Sequence, residues 1–209
     1  MRNGPTPRGV IAIIRLRETE LTDHVHDALI AGGLRAIEVT VDTPGSLSAV
    51  QRWARRSPAL VGVGTVRTAA HADAAIAAGA QFLVTPTVMR PVLDTASRAG
   101  VPVICGAMTP TEIDTAWSLG ATAVKVFPID AVGADSYISA LQGPLPEVPL
   151  VPTGGVNASL TRRYAELGCA GAGVGSALVD EQTVMQGDWH VLEQRADEFV
   201  NAWTSGTRA

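Results

Sequence analysis

Aromatic residues make up only 4% of this 209-residue chain, which leaves little from which to build the base-stacking platform of a single-strand nucleic-acid binder. A cationic excess is also missing. The net charge is −4 at pH 7, whereas nucleic acid or an anionic membrane calls for a basic face. Two cysteines, Cys105 and Cys169, are too few for a disulfide framework; each lies beside glycine in an apolar stretch, so buried free thiols are expected. Long hydrophobic runs are lacking as well. The longest uncharged stretch, Ala74 to Met89, is broken by Gly79, Gln81 and Pro86 and falls short of the ~20 apolar residues that span a membrane. Residues 1–9 hold no apolar run with a small-residue cleavage site and are expected to be a loose segment. The chain therefore reads as a soluble, cytoplasmic protein with neither a nucleic-acid nor a membrane partner.

Apolar residues are plentiful at 46% against 17% charged, enough for a single domain over residues 1–209 with a large core. Short β-rich runs alternate with longer Ala-rich helical patterns. The expected strands are Val10–Leu16, Arg35–Val41, Ala59–Val63, Gln81–Thr85, Val101–Cys105, Ala121–Phe127, Pro149–Thr153 and Ala170–Val174. Helical patterns fill the intervals, from Glu20–Ala31 to a last helix over about Trp189–Trp203. Gly32, Gly79, Gly100, Gly120 and Gly168 follow helical patterns, where a left-handed C-terminal cap is wanted. Repeated β-then-α order implies parallel strands. Eight units of roughly 26 residues close naturally into an α/β fold of the (β/α)8 TIM-barrel type. An open doubly wound sheet is the alternative, but Arg15-Leu16-Arg17-Glu18 is nothing like its glycine fingerprint.

Barrels bind ligands at the C-terminal ends of their strands, and one residue there stands alone. Lys125 is the only lysine; the other basic residues are fifteen arginines. Strand alternation puts Ala123, Lys125 and Phe127 on one side and Val124 and Val126 on the other, so Lys125 is expected to point into the barrel. Lysine can shed its proton and attack a carbonyl to form a Schiff base, whereas a guanidinium stays charged. A structural ion pair with a carboxylate is the competing reading. Glu38 is the partner candidate, the lone charged residue of Ala36-Ile37-Glu38-Val39-Thr40. A buried carboxylate with a raised pKa could shuttle protons for such chemistry; a simple salt bridge is again the alternative.

Glycines form the third feature. Gly154-Gly155-Val156-Asn157 leads into a helix, and Gly173-Val174-Gly175-Ser176 into a short apolar turn. Uncrowded backbone amides of this kind bind phosphate, and the loops after strands seven and eight are the recurring phosphate site of barrels. His24, His26, His71 and His190 fall in helical patterns and are expected to be solvated; no metal or other cofactor is expected.

Taken in order, Gly33–Thr40, Val61–Val66, Val84-Thr85-Pro86, Val124–Pro128 and Pro152–Gly155 resemble the 2-keto-3-deoxy-6-phosphogluconate / 4-hydroxy-2-oxoglutarate aldolases. These are metal-independent class I enzymes on a (β/α)8 barrel, usually homotrimers. The resemblance implies that Lys125 forms the Schiff base and Glu38 is the general acid/base. It also implies that Thr65, Pro86 and Phe127 line a pyruvate pocket and that Gly154, Gly155, Gly175 and Ser176 bind phosphate. Asp42 stands where many relatives carry the arginine that binds the pyruvate carboxylate. Arg15 looks like the arginine that related enzymes use instead; an ion pair with Asp42 is the other reading. Thr87 replaces a frequent glycine, and parts of the chain are similar to the phosphogalactonate branch. Thr153 is similar to the phosphogluconate type, where it could bond a substrate hydroxyl. The implied activity is reversible cleavage of a phosphorylated 2-keto-3-deoxy sugar acid to pyruvate and glyceraldehyde 3-phosphate. The rivals are a phosphosugar isomerase or decarboxylase, a non-catalytic phosphosugar binder, and activity on 4-hydroxy-2-oxoglutarate or decarboxylation of a β-keto acid, which would keep the lysine and relax the phosphate requirement.

Overall fold

The computed structural model describes residues 6–17 and 23–207. Eight strands form one parallel sheet: β1 (Gly9–Ile14), β2 (Ala36–Thr40), β3 (Leu60–Gly64), β4 (Leu83–Val84), β5 (Val103–Ala107), β6 (Ala123–Val126), β7 (Leu150–Pro152) and β8 (Gly171–Val174). Their order is β7-β6-β5-β4-β3-β2-β1-β8. The remaining seam, β7 to β8, is closed by a parallel bridge between Thr153 and Gly173 and by Ala170 N–H donating to Leu150 O at 2.9 Å. The sheet is a (β/α)8 barrel, as the alternating pattern implies.

Each strand is followed by a helix that returns the chain: α1 (Asp23–Ala31), α2 (Ser46–Arg56), α3 (Ala69–Ala77), α4 (Arg90–Ala99), α5 (Pro110–Ser118), α6 (Asp135–Gln142) and α7 (Ala158–Glu166). A short α8 (Glu181–Gln186) and a long α9 (Trp189–Gly206) follow β8. Side-chain caps set several starts: Thr68 accepts from His71 N, Thr109 and Glu112 form a reciprocal capping box, and Asn157 accepts from Leu160 N.

Strand alternation divides the core into two layers. Ile11, Ala36, Phe82, Val84, Ile104, Ala123 and Val151 fill the barrel interior, while Val124, Val126 and their counterparts on the other strands pack outward against the helices. Lys125 therefore shares the inward face with Ala123, as expected. Gly62 makes room for the interior ring, since a Cβ there would come within 2.6 Å of Phe82.

Several boundaries differ from the sequence reading. Gly9 already belongs to β1, its N–H donating to Ala170 O at 3.0 Å, and Pro7 is buried. The segment expected to be loose over 1–9 thus does not reach that far; residues 1–5 lie outside the described residues, as do 20–22 at the expected start of α1. The left-handed residue after α1 is Gly33, with φ 87°, rather than Gly32. Gly32 serves packing instead: a Cβ there would collide with Ala196 of α9. His26, expected to be solvated, is buried against the Trp53 ring, with centroids 5.1 Å apart. It belongs to the inward stripe of α1 with Val25, Ala28 and Leu29. His71 is half-buried; His24 and His190 are exposed. Cys105 and Cys169 are buried free thiols, and burial pushes the Cys169 thiol up to about 12, which leaves it unreactive.

The unforeseen α8 is anchored by Asp180, which accepts from Thr183 N and pairs with Arg195 of α9. Its carboxyl is held down at about 2, against an ordinary 3.8, because hydrogen bonds from Thr183 and Arg195 outweigh the cost of burial. A carboxylate whose folded pKa is depressed contributes stability above its unfolded pKa and loses it as pH falls through the folded one. We expect Asp180→Ala to cost about 1 kcal/mol at neutral pH through the lost cap. Its difference from the parent should shrink as pH falls from 3.8 through about 2. Urea melts at both pH values check this; an unchanging difference contradicts it.

Candidate active site

The strand ends open into a cavity of about 880 Å³ at the C-terminal mouth of the barrel. Its wall includes Lys125 and all nine of the substrate-binding candidates: Arg15, Thr65, Pro86, Phe127, Thr153, Gly154, Gly155, Gly175 and Ser176. Residues from six strand ends, far apart in sequence, thus converge on one space.

Lys125 is part of its wall, and Glu38, which does not line the cavity itself, stands beside Lys125. Lys125 Nζ lies 3.9 Å from Glu38 Oε1, and the two residues are 8% and 2% exposed. That separation exceeds a hydrogen bond, and Glu38 Oε1 is buried without a hydrogen-bond partner among the described residues. Burial pushes the Glu38 carboxyl above its ordinary range, against the pull of Lys125 and Arg15. A carboxyl in that state keeps its proton to higher pH than an ordinary one and can pass it to a neighbour. The room for it is made by Gly64, where a Cβ would overlap the Glu38 carboxylate and come within 2.6 Å of Cγ. Phe127 closes the other side, its ring centroid 5.4 Å from Nζ.

Arg15 reaches across the mouth from the end of β1. Its Nη2 donates to Thr65 Oγ1 at 2.7 Å. Asp42 is exposed, and the Arg15 guanidinium is bonded to Thr65 instead, so the alternative of an Arg15–Asp42 ion pair does not hold. Thr65 has φ 59°, a left-handed conformation that is rare for a β-branched residue and costs on the order of 1–3 kcal/mol. The strained turn presents its hydroxyl to the guanidinium.

The turn after β4 is pinned by its own side chain. Thr85 Oγ1 donates to Thr87 O at 2.8 Å and accepts from Gly106 N–H at 3.2 Å. Gly106 itself lies against the Pro86 carbonyl, where a Cβ would collide. Pro86 is thereby held over the cavity, and Thr87 joins the wall. Thr153 Oγ1 donates to Val151 O at 3.3 Å in the same wall.

Opposite stand the two glycine segments. Gly154 and Gly155 have φ 106° and 61°, conformations open to glycine, and lead to the Asn157 cap of α7. Gly175 and Ser176 follow β8 in a turn. Arg17 and Arg67 also line the cavity, and neither was singled out from sequence. The signal was present, since each lies two residues beyond a recognised site residue, Arg15 and Thr65.

Comparison with known proteins agrees with this geometry. The family model described as KDPG and KHG aldolase matches residues 5–195. The 2-dehydro-3-deoxy-phosphogluconate aldolase of Pseudoalteromonas atlantica is 32% identical over 195 residues, covering 91% of this chain and 89% of that protein. A solved structure described as native KDPGal superposes with a TM-score of 0.86 at 30% identity, covering 99% of this chain and 100% of the other. The KDPG aldolase from Legionella pneumophila, with pyruvate captured as a covalent carbinolamine, matches with a TM-score of 0.80 at 30% identity, over 91% and 93% of the two chains. Barrel, buried amine and relatives together define a class I aldehyde-lyase. The chain belongs to the KDPG and KHG aldolase family.

Proposed function

We propose that the cavity cleaves 2-keto-3-deoxy-6-phosphogluconate reversibly to pyruvate and glyceraldehyde 3-phosphate, with Lys125 as nucleophile and Glu38 as general acid/base. The observation that carries this reading is the buried Lys125–Glu38 pair, 3.9 Å apart without a hydrogen bond, with Lys125 in the cavity wall. Arg15 and Thr65 receive the substrate carboxylate, Pro86 and Phe127 flank the three-carbon end, and Thr153 meets a hydroxyl. Amides of Gly154, Gly155, Gly175 and Ser176 bind the phosphate.

The neutral amine of Lys125 attacks the ketone carbon, and the resulting carbinolamine loses water as Glu38 delivers a proton to the departing hydroxyl. Glu38, now a carboxylate, takes the proton from the hydroxyl on the fourth carbon. The bond between the third and fourth carbons breaks, and its electron pair flows into the iminium to give an enamine. Glyceraldehyde 3-phosphate leaves. A proton returns to the third carbon, and water hydrolyses the imine to release pyruvate and the amine.

Borohydride with pyruvate tests the reading. We expect inactivation only when both are present, with one reduced pyruvyl group mapped to Lys125; no adduct, or an adduct elsewhere, removes the proposal. Glu38→Gln should lower kcat by about 10²–10⁴-fold. The likeness to the native KDPGal structure favours the galactonate epimer as a second reading; cleavage assays with both epimers decide. A homotrimer and a cytoplasmic location belong to the proposal on family grounds. No helix among the described residues is long and apolar enough to cross a membrane.

A further inference from the structure

Four cationic side chains line the cavity: Lys125, Arg15, Arg17 and Arg67. Two are engaged at its inner end, Lys125 facing Glu38 and Arg15 bonded to Thr65. The guanidiniums of Arg17 and Arg67 have no ion-pair partner among the described residues, unlike those of Arg52, Arg56, Arg162, Arg163 and Arg195. Meanwhile the glycine segments offer amides without charge. A carboxylate stands near them: a Cβ on Gly155 would lie 2.9 Å from Asp130 Oδ2. A phosphate monoester, close to doubly charged at neutral pH, would meet local negative charge there unless a cation joined it.

Topology says which cation. β8 is bonded to β1, with Ala12 opposite Val174, so the chain leaving β1 runs beside the turn that carries Gly175 and Ser176. The Arg17 N–H donates to Glu181 Oε1 at 2.9 Å, tying that backbone to α8. Arg67 leaves β3, two strands further round the mouth. We propose that Arg17 is a specificity-determining residue that binds the distal phosphate of the substrate, completing with its guanidinium what the glycine amides begin. This rests on the aldolase reading above and adds to it the residue that discriminates phosphorylated from unphosphorylated acids.

The test compares Arg17→Ala, Arg17→Lys and Arg67→Ala with the parent in two assays. One is the KM for the phosphorylated substrate; the other is the pyruvate concentration that half-saturates borohydride inactivation. Arg17→Ala should raise that KM about 10–100-fold, as expected for a lost charged hydrogen bond, and leave pyruvate half-saturation unchanged. Arg17→Lys should recover part of the loss, and Arg67→Ala should change KM by less than about 3-fold, as for a rim charge. The proposal is overturned if Arg17→Ala leaves KM unchanged, if Arg67→Ala matches it, or if pyruvate binding weakens in step. Failure of the parent to be trapped by pyruvate would instead strike the aldolase reading, so the two failures are distinct.

Discussion

Lys125→Arg is expected to abolish aldol cleavage while leaving the barrel intact, with turnover falling on the order of 10⁴-fold or more. The substitution keeps the positive charge opposite Glu38, 3.9 Å away in the parent, and so keeps whatever structural value the ion pair has. It removes only the capacity to form a neutral nucleophile, because a guanidinium does not deprotonate in proteins. The cavity of about 880 Å³ beside it can take the longer side chain. Steady-state assays and a thermal melt make the comparison. Loss of activity with an unchanged melt is the expected pair; turnover within tenfold of the parent contradicts the covalent role and favours the ion-pair reading, since arginine preserves the charge. Lys125→Ala serves as a second variant, since a missing side chain at the cavity wall avoids overpacking.

Gly64→Ala should act through Glu38 without touching any substrate. The added methyl would overlap the carboxylate and press on Cγ at 2.6 Å. Glu38 is the far end of a flexible side chain, so it can swing aside, and the fold survives at modest cost. Swinging aside takes it out of line with Lys125, however. A displacement of about 1 Å at a reacting group can lower turnover about 10²-fold. We therefore expect kcat to fall by about that factor with a melt close to the parent's. Gly106→Ala should behave oppositely, because its Cβ would meet the backbone of Pro86, which has no such freedom. Full activity in Gly64→Ala would mean that the position of the Glu38 carboxylate does not matter.

Much of this site was legible before any coordinates. Lys125 and Glu38 are each the lone charge in an apolar strand, and alternation assigned Lys125 to the inner face. The glycine segments were readable because they follow the seventh and eighth strands of a regular βα series. What escaped had a different physical origin. β4 comprises only Leu83 and Val84 of the expected Gln81–Thr85, because its flanks turn to place Thr85 and Pro86. α8 is six residues long, too short for a helical period to declare itself, although Asp180 and Gly187 flank it as caps. His26 was read by residue type, where its spacing from Val25 and Leu29 carried the burial signal. Gly32 looked like a cap, yet its duty depends on Ala196, which lies far along the chain and is invisible to local reasoning. Arg17 and Arg67 were hidden by residue type, since a mouth arginine looks like any solvated surface charge.

The rarity of lysine has a practical corollary. Arginine is inert to acylating and reductive-alkylating reagents under mild conditions, so Lys125 offers the chain's sole ε-amino target. With 8% of its surface open, that target is reached only through the mouth. The extent of modification at Lys125 by an amine-selective dye would therefore gauge occupancy: a filled cavity shields the label's only side-chain address, and an empty one admits it.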